Sequence, residues 1–501
     1  MTQQYPALLV MIPLLSALAV SAMGWINKRW CFPITVAALV GALASAGALL
    51  VQVLSSGTII YKMAGWNPPV GINYTIDHLN APVLVVILAV ALLNLMGAKA
   101  RIEEEFSDRL GAYLALYLLF VCGMAGIVAT GDAFNLYVLL EIGSLTGYAL
   151  IGLGKERAAL SSLNYLFMGT IGASFYLLGI GYVYIATGTL NMADISRMVP
   201  ALAESGSPIL FMAFIICMAG LFVKMALFPM HGWLPNAYSN APSASGGLIA
   251  PLTTKVMIYA MIRAGLTIFT PEYTFARPML SQTIVWVAIS AIVFGSLLAL
   301  MQRRLTRMLT YIIVAEVGYM VGGFWLGNKA GITGATLHII NDAAMTMALF
   351  MAVSVITYKT KSDKFEDLQG LFGKMPFTML AFGLAALAVI GIPPTCGFFS
   401  KWYLISAGID AGNWAFVGAL LFSSLVNAVL FFRIFEIAYF EPFAEGHGEH
   451  GSHPHGPVIA EAPLTMVVPL VIAALSLLVL GLYSGDIVTK LIQLAIPAGI
   501  A

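Results

Sequence analysis

Fourteen apolar runs of membrane-spanning length constrain this chain more than any motif it carries: 5–25, 32–54, 79–98, 110–130, 133–153, 160–186, 208–229, 243–265, 281–301, 308–327, 331–357, 376–407, 412–433 and 462–484. A helix rises about 1.5 Å per residue, so about 20 apolar residues cross a hydrocarbon core of about 30 Å. Inside lipid every backbone polar group must be satisfied within the segment, and long single runs achieve that as helices. The longest polar stretches between them (55–78, 187–207, 358–375 and 434–461) are too short to build a domain with its own core. The chain therefore reads as an all-α integral membrane protein of about 14 transmembrane helices, a single polytopic domain over 1–501. Proline and glycine interrupt the seventh and twelfth runs, and a tight turn at Gly131-Asp132 joins the fourth to the fifth.

Charge is scarce. Only 9% of the residues are charged, against about 25% in a soluble domain. The 24 basic and 23 acidic side chains leave a net charge of +1, so nothing steers the chain toward nucleic acid. Cys31, Cys122, Cys217 and Cys396 stand singly in apolar runs without CxxC spacing, which supports neither a disulfide framework nor a metal cluster. There is no Walker loop, strand-borne GxGxxG, HExxH or haem motif, so no cofactor is expected on this chain. The first run lacks a basic flank and a small-residue cleavage site, and is expected to remain as a helix.

Basic residues set the expected orientation. Loops after odd-numbered runs hold fifteen, among them Lys28, Arg101, Lys155, Arg304 and Lys361. Loops after even-numbered runs, with the tail, hold five: Lys62, Arg197, Arg277, Lys329 and Lys490. That bias puts the odd loops in the cytoplasm and both termini outside. Arg263 ends the eighth run, and the remaining three basic residues, Lys224, Lys255 and Lys401, lie inside runs.

Those lysines, with Glu141, Glu316, Asp342 and His338, sit where a membrane disfavours them. A central charge costs about 2.5–3.5 kcal/mol, so six unpaired ones would cost roughly 15–20 kcal/mol, more than the ~5–15 kcal/mol by which a whole protein is stable. They have to pair, change protonation state or face internal water. Fixed interhelical ion pairs are the simplest account, but such pairs are poor glue when both partners are desolvated. Two runs also break beside a lysine, in Lys224-Met-Ala-Leu-Phe-Pro229-Met-His231 and in Gly391-Ile-Pro393-Pro394-Thr-Cys-Gly397-Phe-Phe-Ser-Lys401. Proline removes a donor and clashes with the preceding turn, and paired broken helices in two halves point to a transport path.

Three segments carry a family resemblance. GDAFNLYVLLEIGSLTGYAL (131–150), VKMALFPMHGWLPNAYSNAPSASGGLIAPLTTK (223–255) and GIPPTCGFFSKWYL (391–404) resemble the antiporter-like subunits of Mrp-type cation/proton antiporters, of respiratory complex I and of membrane-bound hydrogenases. The resemblance covers about residues 75–435, and its first segment is closer to the D-type subunit of Mrp antiporters, or to the hydrogenase subunits, than to complex I. It implies two inverted five-helix repeats, 110–265 and 281–433, with helices 7 and 12 broken. It further implies a proton path in which Glu141 tunes a lysine, Lys224 carries the proton, Lys255 connects the halves, His338 lies on the central axis and Lys401 is the terminal lysine. His231 resembles the family's histidine after the seventh helix and is assigned to proton uptake.

The residues fit those roles. The membrane interior disfavours a charged lysine and a neighbouring carboxylate favours it, so a Glu141–Lys224 contact that opens and closes would switch the amine between holding and releasing its proton. Gly143, Ser144 and Gly147 let another helix approach. The sequence also departs from the pattern. Where relatives place a second histidine and a lysine after the first histidine, this chain has Asp342 and Thr346, at i+4 and i+8 from His338 and so on one helix face. Glu316 replaces an uncharged polar residue. Either Glu316, His338 and Asp342 form an acid-rich relay between the halves, which also suits Na⁺, or Asp342 neutralises His338 or Lys255 as a fixed pair.

Smaller features follow. His447, His450, His453 and His455 crowd GHGEHGSHPHG (446–456), a solvated loop in the simpler reading and a weak metal site in the other. Asp132 is either the cap of the fifth helix or an exit-side acid. The chain ends about seventeen residues after the fourteenth run, which leaves no room for the lateral helix of the largest relatives. The expected function is proton translocation inside a multisubunit complex of the bacterial or archaeal cytoplasmic membrane. The complex is an Mrp-type Na⁺(K⁺)/H⁺ antiporter, a hydrogenase or NADH-quinone oxidoreductase-like pump with its redox groups on other chains, or a module on a non-redox partner such as an inorganic-carbon uptake complex.

Overall fold

The computed structural model describes residues 4–440, 460–497 and 499–500. The chain is almost entirely helical. In order come α1 (Tyr5–Ile26), α2 (Cys31–Ser56), a hairpin of β1 (Ile59–Lys62) and β2 (Asn73–Ile76), α3 (Ala81–Gly97), α4 (Lys99–Phe106), α5 (Leu110–Ala129), α6 (Ala133–Gly152), α7 (Ala158–Thr187), α8 (Met192–Glu204), α9 (Pro208–Lys224) and α10 (Leu234–Asn240). They are followed by α11 (Ser243–Arg263), α12 (Pro271–Thr274), α13 (Pro278–Leu300), α14 (Leu305–Trp325), α15 (Lys329–Thr360), α16 (Leu371–Lys374), α17 (Pro376–Ile390), α18 (Cys396–Asp410), α19 (Trp414–Phe440) and α20 (Leu464–Leu482). The hairpin pairs antiparallel, with Ile59 opposite Ile76.

Every apolar run carries helix, but not every run is one straight span. Among the described residues eleven helices are long and apolar enough to cross a membrane, or twelve when α3 and α4, bent by 63°, count as one. The seventh run stops as α9 at Lys224 and resumes only as a 3-10 turn and α10. The twelfth divides into α17 and α18 around Gly391-Ile-Pro-Pro-Thr. Both breaks hold a cis prolyl bond, Phe228–Pro229 and Pro393–Pro394. Gly391 ends α17 at φ 94, a left-handed C-terminal position that other residues rarely adopt.

Enclosure sorts the helices. The most apolar stretches of α11 and α15 are wholly buried and that of α14 is 94% buried, against 28% for α1. An apolar helix enclosed on all sides belongs to a core rather than to a lipid-facing surface. Lys255 lies on α11, Glu316 on α14, and His338 and Asp342 on α15, so four ionisable residues occupy the three most enclosed helices. α15 packs against α11, α14, α17 and α18, and α7 packs on α9. That last pair closes on glycines: a Cβ on Gly220 would stand 2.6 Å from the Gly172 carbonyl. Asp132 caps α6, its Oδ1 accepting from Asn135 N at 2.7 Å, so the capping role is the one observed.

Candidate functional site

Lys224 is the last residue of α9 and 3% exposed. Its Nζ donates to Ser144 Oγ at 2.7 Å and to Tyr148 Oη at 3.4 Å, both on α6. The Tyr148 hydroxyl fills the place a Cβ on Gly169 would take. Tyr148 meets Tyr165 edge-on at 4.5 Å, and Tyr165 stacks on Trp233 at 4.0 Å. The Trp233 indole donates to Val223 O at 3.3 Å, a carbonyl at the end of α9 that also accepts from Ala226 N at 3.2 Å. Glu141 acts on Lys224 through its charge. It is half-buried, and no ion pair joins the two. The expected acid–lysine contact is therefore open, with Ser144 in the acid's place.

Lys401 is held differently. Its Nζ donates to Val389 O at 2.7 Å, Ile390 O at 3.3 Å and Ser424 Oγ at 3.0 Å, and lies 5.3 Å from the Tyr319 ring centroid. Two of these acceptors are carbonyls at the C-terminal end of α17, where the helix dipole presents negative charge. Tyr319 Oη in turn donates to Ser423 Oγ at 2.5 Å.

A buried cluster joins α11, α14 and α15. Lys255 Nζ pairs with Asp342 Oδ2 at 2.9 Å, the side chains 2% and 0% exposed. Thr346 closes a ring, accepting from Lys255 Nζ at 3.2 Å and donating to Asp342 Oδ1 at 2.8 Å. Glu316 interacts with Asp342 and with the charges of Lys255 and Lys401, and its Oε1 has no hydrogen-bond partner. His338 bonds Ser400 Oγ through Nδ1 at 2.8 Å, leaving Nε2 unpartnered. Lys255 and Asp342 pair opposite charges with Glu316 and Lys401 beside them, which is how a membrane interior tolerates ionisable groups. The structure thus brings Lys255, Glu316, His338, Asp342 and Lys401 together, and Asp342 pairs with Lys255 rather than with His338.

His231 stands apart, stacked on Phe228 at 5.2 Å with Nδ1 buried and unpartnered. His447, His450, His453 and His455 lie outside the described residues. Sequence reading missed several partners. Tyr148 follows Glu141 and Ser144 at the spacing i, i+3, i+7, which was the available signal. Ser400 adjoins Lys401. The Asp77–Arg263 pair joins residues remote in sequence: Arg263 Nη1 and Nη2 donate to Asp77 Oδ2 at 2.7 Å and Oδ1 at 2.9 Å. Burial alone pushes the Asp77 carboxyl up, but Arg263 and the backbone N–H groups of Asn80 and Leu79 outweigh it and hold it below the ordinary carboxylate range.

A many-spanning helical bundle with buried lysines at two broken helices and an enclosed cluster of ionisable side chains is an integral membrane protein that holds charge inside the membrane. The chain belongs to the NADH:quinone oxidoreductase/Mrp antiporter transmembrane family, whose model matches residues 130–427. It is 40% identical over 502 residues to the N subunit of the NADH-quinone oxidoreductase of Desulforudis audaxviator (strain MP104C), covering 99% of each chain. It is 30% identical over 431 residues to the D-type subunit of the Na(+)/H(+) antiporter of Bacillus subtilis (strain 168), covering 86% of each. Among solved structures, a chain of the Mrp complex from Dietzia sp. DQ12-45-1b superposes with a TM-score of 0.88 at 26% identity, covering 99% of this chain and 96% of that one.

Proposed function

We propose that this chain is the proton-translocating subunit of a multisubunit membrane complex, most simply the D-type subunit of an Mrp-type Na⁺(K⁺)/H⁺ antiporter. What supports the reading is the burial of Lys224 at the end of α9 together with the buried cluster of Lys255 paired with Asp342, Glu316 and Lys401. Glu141 tunes Lys224, Lys255 with Asp342 couples the halves, Glu316 and His338 extend the relay, and Lys401 is its terminus. His231 serves uptake from the cytoplasmic side, to which the odd-numbered loops belong, with both termini outside. The two inverted repeats, 110–265 and 281–433, explain why each half holds one broken helix. The chain carries no redox group of its own.

A redox-driven complex is the second reading, favoured by the 40% identity to an NADH-quinone oxidoreductase subunit along the whole chain. Both readings share proton movement and differ in what drives it. Affinity purification from native membranes, followed by mass spectrometry, separates them: antiporter subunits accompany the chain in the first case, iron–sulfur or nickel proteins in the second. The purified complex is then reconstituted in liposomes and proton movement is driven by a Na⁺ or K⁺ gradient, or by quinone reduction. Lys224→Ala should slow it by about tenfold or more, a barrier increase of at least ~1.4 kcal/mol. Full proton movement in that variant would refute the reading.

A further inference from the structure

Two cavities meet on the side that carries the basic loops. The outer one is an open cleft of about 400 Å³, with Arg101, Lys155 and Arg304 on its walls. The inner one, about 10 Å³, is lined by Glu316, Thr346 and Leu349, and has room for about one water molecule. Phe350 lines both. On α15 the residues Asp342, Thr346, Phe350 and Ser354 follow one another at i+4 spacing, each a turn from the last. Three are polar and one is aromatic. Ser354 faces the cleft with its hydroxyl buried and unpartnered. Thr346 belongs to the Lys255–Asp342 ring. Phe350 interrupts this polar series where the cleft approaches the inner cavity, and is itself 5% exposed.

We propose that Phe350 is a hydrophobic gate between the cleft and the Glu316–Asp342–Lys255 cluster, resting on the charge path described above. A proton needs an unbroken chain of water or polar groups, and an apolar constriction breaks such a chain by excluding water. The ring faces α11 at Gly246, where an added Cβ would stand 3.8 Å from Cδ1 and glycine leaves that space open. Displacement of the ring would join the cleft to Glu316, whose Oε1 lacks a hydrogen-bond partner. Closed, it keeps the cluster dry while the far side of the path is open.

The test reads water access rather than transport. Leu349 lines the inner cavity but is outside the charge cluster. Leu349→Cys is introduced alone, with Phe350→Leu and with Phe350→Ala, and each assembled complex in membrane vesicles is treated with a water-soluble cationic thiosulfonate. The four native cysteines are buried, so the unsubstituted complex supplies the background. Leu349→Cys alone and with Phe350→Leu should label slowly, and Phe350→Ala should raise the rate by about tenfold or more. Should Phe350→Ala fail to assemble, Phe350→Val provides the opened variant. Equal rates in the opened and Phe350-containing complexes, whether slow or fast, would overturn the gate. Because labelling does not require transport, the gate and the proton path can fail independently.

Discussion

At the first break the lysine sits on the helix that ends; at the second it sits on the helix that begins. That difference decides what each amine holds. Where α9 stops, the Trp233 indole takes the Val223 carbonyl, and Lys224 is left to bond the hydroxyls of Ser144 and Tyr148. Where α17 stops, Lys401 itself takes the carbonyls of Val389 and Ile390. A hydroxyl both donates and accepts, and reorients at little cost, whereas a carbonyl at a helix end is fixed and can only accept. The Lys224 amine is therefore free to change partners, and the Lys401 amine is part of what closes the broken helix. Lys255 is held by a carboxylate, the least movable arrangement of the three.

The largest expected effect tests that carboxylate. Asp342→Asn leaves Lys255 buried without its counter-charge, which should destabilise the complex by about 3–5 kcal/mol. Replacing both residues by apolar ones of similar size should recover most of the loss, with transport still absent. Thermal unfolding of the purified complex measures the first and vesicle assays the second. A stable Asp342→Asn complex would show that Asp342 is not a fixed partner.

A smaller loss is expected at Asp77, whose side chain keeps 19% exposure. Asp77→Asn should cost about 3 kcal/mol and leave the proton path intact. The pH dependence has a definite sign. The folded carboxyl is depressed, so its contribution is complete above the ordinary carboxylate value of about 3.9 and disappears as pH falls through the folded value. Stability through the neutral range should be insensitive to this pair. A Tm that changes there in the native chain but not in Asp77→Asn would contradict the assignment.

Lys401→Met comes next. It strands a buried acceptor at the end of α17, about 1–3 kcal/mol, and removes the proposed terminus of the path as well. Lys224→Met strands no carbonyl, since Trp233 already serves Val223, and should impair transport at near-native stability. Equal loss of Tm in the two variants would erase the contrast between the breaks.

How much of this was readable beforehand depended on what signal a residue leaves. A lysine or glutamate in an apolar run stands out against its neighbours, so Glu141, Lys224, Lys255, Glu316, Asp342 and Lys401 were visible in the sequence, as were both breaks through their prolines. Apart from the Lys255–Asp342 pair, their hydrogen-bonding partners were not. Ser144, Tyr148, Thr346 and Ser424 are ordinary residues for a membrane helix, and the carbonyls of Val389 and Ile390 have no side-chain signature at all. Thr346 looked like a lost lysine and is instead the third member of the Lys255–Asp342 ring. Asp77 with Arg263 is a tertiary contact between distant segments, which no local spacing announces.

Glu141 should give the smallest stability effect and the sharpest test of the contrast. Glu141, Ser144 and Tyr148 share one face of α6, and three residues of helix place Glu141 about 4.5 Å along the axis from Ser144. A passage of the Lys224 amine from the Ser144 hydroxyl to the carboxylate is the switch that Glu141 variants test. With no ion pair to break, Glu141→Gln should change stability by no more than about 0.5 kcal/mol. It should nevertheless slow proton movement and alter its pH profile, because the amine loses the charged partner that holds its proton in the second position. Lys401 also feels a carboxylate, Glu316, through its charge, but it is tied to two carbonyls, so the switch is expected at Lys224 first. If Glu141→Ala moved protons at the native rate with the native pH profile, the switch would be refuted and Lys224 would be no more mobile than Lys401.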